Sequence, residues 1–264
     1  MEKSLLEYSV KYGGMINIFR NIGCIGDSLS SGEFEFDNDG ECGYWDCYEY
    51  SWGKFIERIT GVEITNFSRG GMTAFSMYSE ADKQNSVTDN INRLFVKSNT
   101  KQAYIIALGV NDLSHIDMEC YGGKIGNAKE DIKDNYNENA NTLTGWDAKI
   151  IQRLQENEPD AKFFLVTIPN DGKGKEDISE FAKAVQGIAE VLDNCYAVDL
   201  FAFAPTYDAK FREKYFNGGH MNAMGYFMSA QYIMACIDKI IKDSYDEFQF
   251  VQFIGSGRKP YLYK

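Results

Sequence analysis

Five short apolar runs, bounded by glycine, proline and asparagine, alternate with longer amphipathic stretches along this chain. Apolar runs of this length that are rich in β-branched and aromatic residues predict buried strands. The predicted strands are 17–26, 61–67, 101–110, 161–169 and 194–201. The predicted helices are 50–60, 85–98, 138–157, 177–192 and 223–244. This alternation predicts an α/β fold in which helices cover both faces of a parallel sheet.

The 264 residues contain no repeat, low-complexity linker or change of composition, so we predict one domain over residues 1–264. Two segments are long enough to be functional loops, 30–49 and 111–137. The C-terminal residues 245–264 are expected to form an extra strand or a strap against the domain, with their aromatic residues serving packing or a subunit interface. A homo-oligomer is therefore left open.

The charge balance excludes several classes of partner. The chain has 39 acidic and 27 basic residues, a net charge of −12, which argues against nucleic acid and anionic membranes. No apolar run is long enough to span a bilayer, and the first ten residues, MEKSLLEYSV, lack the apolar core of a signal peptide. We therefore expect a cytoplasmic protein with reduced cysteines. Two histidines and no CxxC pair give no support for a zinc site, so no metal is expected.

The stretch IGDSLSSG, residues 25–32, follows the first predicted strand. Ser28 could be an ordinary helix N-cap or an activated nucleophile, which needs a base and donors for an oxyanion. Because parallel strands end at one edge of a sheet, Ser28 should lie near the residues that follow the next two strands. Those residues include Gly71 and Asn111, a turn glycine and a side-chain amide of the kinds that bind oxyanions. The imidazole base could be His115 or His220.

Four blocks carry a family resemblance: GDSLS, NFSRGGMT, GVND and NGGHMNAMGY. In this order they resemble the blocks of the SGNH (GDSL) hydrolase superfamily, over residues 22 to 243. The resemblance implies a three-layer α/β/α, flavodoxin-like fold with a five-stranded parallel sheet. It also implies hydrolysis of carboxylic esters or thioesters through an acyl-serine, with no cofactor.

Carried over position by position, the resemblance makes Ser28 the nucleophile and His220 the general base. The oxyanion hole would consist of the Ser28 N–H, the Gly71 N–H and the Asn111 side-chain amide. Asp27 and Asp112 look like scaffolding that fixes the turns.

One position departs from the family pattern, which usually has an aspartate three residues before the histidine. That position is Asn217 here. We expect a Ser-His dyad in which Asn217 or a backbone carbonyl orients His220. Two alternatives are that Asp199 or Asp208 has moved in as the acid, or that the site is catalytically weak.

The segment 31–49 holds seven acidic residues and no basic one, so it could be a solvated acidic loop. Alternatively, with Tyr44 and Trp45 it forms one side of a pocket mouth, which suits a neutral sugar or a cationic group. His115 is a further candidate for the pocket wall. We expect a short acyl ester of a small polar or carbohydrate alcohol as substrate. The alternatives are a protein of this fold that binds a ligand without turnover, and an acyltransferase that uses the same residues.

Overall fold

A five-stranded parallel sheet lies at the centre of the protein, in the computed structural model that describes residues 13–85 and 89–261. The strands are β1 (Asn21–Gly26), β2 (Glu33–Asn38), β3 (Glu41–Asp46), β4 (Glu63–Asn66), β5 (Ala103–Ala107), β6 (Lys162–Val166), β7 (Cys195–Val198), β8 (Phe216–Asn217) and β9 (His220–Met221). The order in the central sheet is β4-β1-β5-β6-β7, so all five predicted strands are confirmed, each shorter than predicted. The strands β2 and β3 form an antiparallel hairpin, and β8 and β9 form a two-residue pair.

Helices pack on both faces of this sheet. They are α1 (Ser28–Ser31), α2 (Trp52–Thr60), α3 (Ala74–Lys83), α4 (Val110–Ser114), α5 (Ala128–Asp131), α6 (Leu143–Gln155), α7 (Glu176–Val191), α8 (Leu200–Phe203), α9 (Ala209–Tyr215), α10 (Ala223–Asp243) and α11 (Tyr245–Phe248). Short 3-10 turns lie at Met15–Ile18, Tyr48–Tyr50, Ile91–Arg93, Lys97–Asn99, Glu119–Tyr121, Tyr136–Glu138 and Val251–Phe253. The predicted α/β class with three layers is confirmed.

The sheet separates two hydrophobic cores, because successive side chains of a strand point to opposite faces. In β5, Ile105 packs with α2 and α10 on one face, and Tyr104 and Ile106 pack with α3, α6 and α7 on the other. Strand β6 divides in the same way between Phe164 and Phe163. Burial on both faces is the reason these segments read as continuous apolar runs in the sequence.

The helix predicted at 85–98 is wrong. The helix in this part of the chain, α3, begins at residue 74, where the Thr73 side chain caps the Ser76 N–H and Ser76 caps Thr73 in return. It ends before Gln84, which has a left-handed backbone with φ of 45°. A capping box fixes a helix start more strongly than apolar spacing does, and the spacing at 91–99 belongs to two 3-10 turns. Residues 86–88 lie outside the described residues.

The segment 30–49, predicted as a loop, is instead the end of α1 followed by the β2–β3 hairpin. Asp39 and Gly40 form its turn with φ of 54° and 90°. Positive φ at both central residues matches the two-residue turn whose twist suits a hairpin. The strands pair in register from Glu33 with Asp46 to Asn38 with Glu41.

The other predicted loop, 111–137, consists of the rest of α4, α5 and short 3-10 turns joined by irregular chain. The C-terminal segment forms α11 and a 3-10 turn, and no strand within residues 245–261. It is tied to the sheet by Gln102, whose Nε2 donates to the Val251 carbonyl at 2.8 Å. Residues 262–264 lie outside the described part.

All six cysteines are free thiols. Within the described residues, no helix is both long and apolar enough to cross a membrane. The N-terminal residues on which the expected cytoplasmic location depends, 1–12, are not among them.

Candidate active site

Ser28 is the first residue of α1, directly after the central strand β1. The turn is fixed by Asp27, whose Oδ1 accepts from the Leu29 N–H at 2.9 Å, and by Gly32, whose φ of 82° ends the helix. Within the described chain, neither the backbone N–H nor the hydroxyl of Ser28 has a hydrogen-bond partner. Both groups are therefore free to act on a ligand.

The Gly70–Gly71 turn follows β4, the neighbour of β1. The Arg69 N–H donates to the Gly26 carbonyl at 3.3 Å, which holds this turn beside the end of β1. Gly71 has φ of 73°, and its N–H has no acceptor among the described residues. A left-handed backbone favours glycine and turns the N–H out of the usual ladder.

Asn111 lies in the first turn of α4, after β5. Its Nδ2 donates to the Met72 carbonyl at 3.2 Å and approaches Asp27 Oδ2 at 3.5 Å. The buried carboxylate of Asp112 fixes this helix start, because it accepts from the N–H groups of Gly109 and Ala74 and from the Tyr121 hydroxyl.

Asp27 is buried beneath Ser28, and burial raises the pKa of its carboxyl to about 7. Asp112 and Glu33 lie near enough for their charges to raise it further, whereas the hydrogen bond from Leu29 opposes the shift. Asp27 and Asp112 thus lie under the turns, as scaffolding would.

His220 lies in the short strand β9, just before α10. Its Nδ1 is 2.8 Å from Glu35 Oε1 and its Nε2 is 3.1 Å from Glu33 Oε1. Helix α1 contacts β9, so Ser28 and His220 belong to neighbouring elements. Glu33 contacts Nε2, the ring nitrogen that would accept a proton from a serine. The hydrogen bond to His220 lowers the pKa of Glu35, and the Gly219 N–H adds to the shift.

Asn217 does not orient the ring, contrary to the sequence expectation. Its Nδ2 donates to the backbone carbonyl of Glu35 at 2.5 Å, and the carboxylate of Glu35 takes the position at Nδ1. The two alternative acids lie elsewhere: Asp199 bonds to Thr167 and Gln186, and Asp208 caps α9 through the Phe211 N–H. Glu35, which lies 185 positions before the histidine, takes the place at Nδ1 that was expected for Asn217 or a backbone carbonyl, with Asp199 or Asp208 as the alternative.

The three residues expected at the pocket mouth differ in their positions. Tyr44 is 61% exposed, and its ring centroid lies 5.7 Å from that of His220, edge-on. Trp45 is 56% exposed and lies against Phe34 on the hairpin. His115 is exposed at the end of α4, where its Nδ1 contacts the Asn111 carbonyl at 2.7 Å. Only Tyr44 among them contacts the histidine.

The family model of the GDSL-like Lipase/Acylhydrolase family matches residues 22–233, four fifths of the chain, and includes all four segments described above. The protein belongs to this family. It is therefore an SGNH-type carboxylic ester hydrolase. None of the curated protein sequences matches this chain.

Solved structures of esterases share the fold of this GDSL-family hydrolase. A family two carbohydrate esterase from Clostridium thermocellum, solved with cellohexaose, has a TM-score of 0.57 at 14% identity over 86% of this chain and 65% of its own. One from Corynascus thermopiles has a TM-score of 0.53 at 16% identity over 86% of this chain and 67% of its own. The psychrotrophic esterase EstA from Pseudoalteromonas sp. has a TM-score of 0.53 at 14% identity over 84% and 99%. At these identities the likeness concerns the fold.

A small apolar cavity of the GDSL-family hydrolase opens beside this edge of the sheet, with a volume of about 70 Å³. Residues adjacent in sequence to the three site residues line it: Leu29, Val110 and Met221. Ile168 and Pro169, after β6, close another side. Ser30 also lines it, and the buried hydroxyl of Ser30 has no partner among the described residues.

Sequence reasoning did not single out Glu33 and Glu35 as contacts of the histidine. A signal was present, because Glu33-Phe34-Glu35-Phe36 alternates with the period of a strand and ends in an Asp-Gly turn. That period places both carboxylates on one face. Composition alone made the segment resemble a solvated acidic loop.

Proposed function

We propose that this hydrolase cleaves its ester through an acyl-enzyme on Ser28, with His220 as general base. The observation that best supports the proposal is that three chain segments meet at one edge of the sheet. The Ser28 hydroxyl at the start of α1 and the Gly71 N–H, which have no partner among the described residues, lie with the bonded ring of His220 at the carboxyl edge of the sheet. A nucleophile, donors and an oriented base are the parts that acyl transfer needs.

In the first step Ser28 Oγ attacks the acyl carbonyl while its proton moves to His220 Nε2. The tetrahedral intermediate collapses when Nε2 returns that proton to the departing alkoxide. Water then attacks the acyl-serine with His220 again as base, and Ser28 is regenerated. Since Nε2 contacts Glu33 in the resting site, Glu33 has to leave this nitrogen before the first proton transfer.

The developing oxyanion would be held by the Ser28 N–H, the Gly71 N–H and Nδ2 of Asn111. The two backbone donors have no competing acceptors within the described chain, and Asn111 is aimed by its bond to Met72. Preorganised donors cost no reorganisation during the reaction, and removing one such side-chain donor costs about 10²–10³ in kcat. We therefore expect Asn111→Ala to lower kcat by that factor.

The proposed substrate is a short acyl ester of a neutral carbohydrate or another small polar alcohol. A cavity of about 70 Å³ admits only a small group, which supports a short acyl chain. The exposed rings of Tyr44 and Trp45 offer flat contacts for a sugar, and Glu33 and Glu35 would repel an anion. Two of the similar folds are named carbohydrate esterases.

The test is hydrolysis of p-nitrophenyl acetate and butyrate by wild type, Ser28→Ala and His220→Ala. A fluorophosphonate that phosphonylates active serines is applied to each in parallel. Ser179→Ala, in the distant helix α7, is the matched serine control. We expect turnover and labelling in wild type and Ser179→Ala, and a loss of both in the other two variants, with acetate preferred to butyrate.

Turnover that survives in Ser28→Ala would overturn the proposed nucleophile. A folded wild type that neither hydrolyses the esters nor reacts with the fluorophosphonate would favour ligand binding without turnover. Transfer of the acetyl group to an added alcohol in preference to water would favour the acyltransferase alternative.

A further inference from the structure

Strand β2 of the hairpin brings the carboxylate of Glu35 to the ring of His220. The residues next to the histidine in sequence place no carboxylate at this ring. We infer that Glu35 is the positioning residue of the active site: it fixes the ring of His220 and stabilises the charge that the ring gains, and Asn217 holds the strand that carries it. The inference rests on the proposed function, because it assigns a role to Glu35 through the general base.

The turn before the histidine is shaped around the carboxylate of Glu35. Oε1 accepts from the Gly219 N–H at 2.6 Å and lies 2.8 Å from His220 Nδ1. An ionised carboxylate is an acceptor only, so Nδ1 carries the hydrogen bonded to Glu35, and Nε2 can serve as the base once Glu33 has left it. Gly218, with φ of 70°, faces Oε2, and a Cβ atom there would collide with this oxygen. Position 218 therefore has no room for a side chain while Glu35 is in place.

Two side chains outside the hairpin hold the backbone of β2. Asn217 Nδ2 donates to the Glu35 carbonyl at 2.5 Å, and the buried Tyr226 hydroxyl donates to the Glu33 carbonyl at 2.6 Å. Residues two apart on a strand, such as Glu33 and Glu35, direct their side chains to the same face. The two anchors thus turn both carboxylates toward the histidine, and position 217 acts on the strand and not on the ring.

The charge of Glu35 suits this role. Its hydrogen bonds from His220 and Gly219 lower the pKa of the carboxyl, so it is ionised at neutral pH. When Ser28 Oγ bonds to the acyl carbon, the serine proton moves to Nε2 and the ring becomes an imidazolium. The Nδ1 hydrogen stays on the ring and continues to bond to Glu35, which does not take up the proton. In the part of the chain that the structure describes, the titratable side chains that contact the ring all belong to the hairpin. They are Glu33, Glu35 and Tyr44.

The experiment compares Glu35→Gln and Glu35→Asp with Glu41→Gln, which removes a charge from the far end of the same hairpin. The kcat and KM of p-nitrophenyl acetate hydrolysis are measured from pH 5 to 9. Replacing an orienting carboxylate by its amide costs up to about 10⁴ in kcat, so we expect Glu35→Gln to lose about 10²–10⁴ with little change in KM. The acidic limb of its kcat/KM profile should move to lower pH, because the imidazolium loses its counter-charge. Glu35→Asp should keep the wild-type limb with intermediate kcat, and Glu41→Gln should match wild type.

A purely structural role for Glu35 would lower kcat without moving the acidic limb, and that result would overturn the inference. Wild-type kcat in Glu35→Gln would overturn it as well. If Ser28→Ala is inactive in the same assay, the proposed function survives either result. The proposed function fails if Ser28→Ala keeps its turnover, or if wild type itself neither turns over nor is labelled.

Asn217→Asp separates the two roles considered for position 217. If Asn217 anchors β2, the activity of Asn217→Asp falls, because the new carboxylate lies against the Glu35 carbonyl. The activity of Asn217→Ala should fall less. Activity that rises in Asn217→Asp would show that this position acts on the ring, and would overturn the anchoring role.

Discussion

Glu33 Oε1 lies 3.1 Å from His220 Nε2, the nitrogen that a general base must offer to the nucleophile. Its other carboxylate oxygen faces the Gly70 turn, where an added Cβ atom would lie only 2.5 Å away. Glu33 therefore lies between the base and the proposed oxyanion turn, where an ester carbonyl would have to enter. With Glu35 at the other nitrogen, both ring nitrogens of His220 face carboxylate oxygens. The resting site is thus closed, and substrate has to displace Glu33.

Replacing Glu33 by glutamine should raise the activity. A neutral amide holds the ring nitrogen of His220 less strongly than a carboxylate does, so substrate and nucleophile displace it more readily. We expect kcat/KM to rise by about threefold to tenfold, the latter corresponding to about 1.4 kcal/mol. Stopped-flow or steady-state assays with p-nitrophenyl acetate across pH 5 to 9 measure this change.

The matched control for this variant is Asp37→Asn, which removes one charge from the exposed part of the same strand. It should follow the wild-type profile. A Glu33→Gln enzyme that loses activity at every pH would contradict the blocking role and indicate that Glu33 contacts the substrate.

Tyr226→Phe should loosen the hairpin without touching either carboxylate. The lost hydroxyl leaves the Glu33 carbonyl without its 2.6 Å donor, which costs roughly 1–3 kcal/mol in the free energy of unfolding. Because β2 carries both contacts of His220, we also expect kcat/KM to fall by about threefold to tenfold. Chemical denaturation and ester hydrolysis measure the two effects.

Tyr104→Phe provides the comparison, since it also removes a buried hydroxyl that bonds to the backbone, here the Lys101 N–H at 3.0 Å. It lies at the start of β5, away from the carboxyl edge. Equal losses of stability with lower kcat/KM in Tyr226→Phe alone would support the anchor. Equal kcat/KM in both variants would mean that the hairpin does not depend on Tyr226.

The central sheet could be predicted from sequence because each strand is buried on both faces and reads as an apolar run. Phe163, Phe164 and Leu165 show why, since adjacent residues pack into different cores. The helix at 74–83 was missed because its start depends on the cap formed by Thr73 and Ser76 more than on its apolar spacing. Local hydrogen bonds of this kind override periodicity over a few residues.

The positions of Ser28, Gly71, Asn111 and His220 could be predicted because each follows a strand end or precedes a helix. The partner of His220 could not, since Glu35 is 185 residues away and no spacing relates the two. Asparagine at position 217 led to the expectation of a Ser-His dyad oriented by Asn217 or a backbone carbonyl, with Asp199 or Asp208 as alternative acids. The contact of Glu35 with the ring depends instead on how the hairpin packs.

Asp27→Asn should change how stability depends on pH. Burial raises the pKa of Asp27 from 3.8 to about 7 in the folded protein. Between these two values the unfolded chain releases a proton that the folded protein keeps, so stability falls as pH rises from 4 to 7. Asparagine can still cap the Leu29 N–H but carries no charge. The difference in the free energy of unfolding between Asp27→Asn and wild type should therefore grow in favour of the variant from pH 4 to 8, by roughly 1–4 kcal/mol.

The free energy of unfolding from urea titrations at pH 4, 6 and 8 measures this slope. Asp160→Asn, at an exposed aspartate, should run parallel to wild type. A gain that shrinks with rising pH would mean that the Asp27 carboxylate is stabilised by its surroundings, contrary to the direction of the shift.

The small cavity beside Leu29, Val110 and Met221 should decide the length of the acyl group. Ile168→Ala removes three carbon atoms from the wall of the cavity, which leaves room for about three more carbon atoms in the acyl group of the substrate. One methylene group in an apolar pocket is worth about 1–3 kcal/mol, so the ratio of kcat/KM for butyrate to that for acetate should rise by about tenfold or more. Ile59→Ala, at a partly buried isoleucine of α2 outside the cavity, is the control for general loosening and should leave the ratio unchanged. If both variants keep the wild-type ratio while hydrolysing acetate normally, the acyl group binds elsewhere and the cavity does not set the chain length.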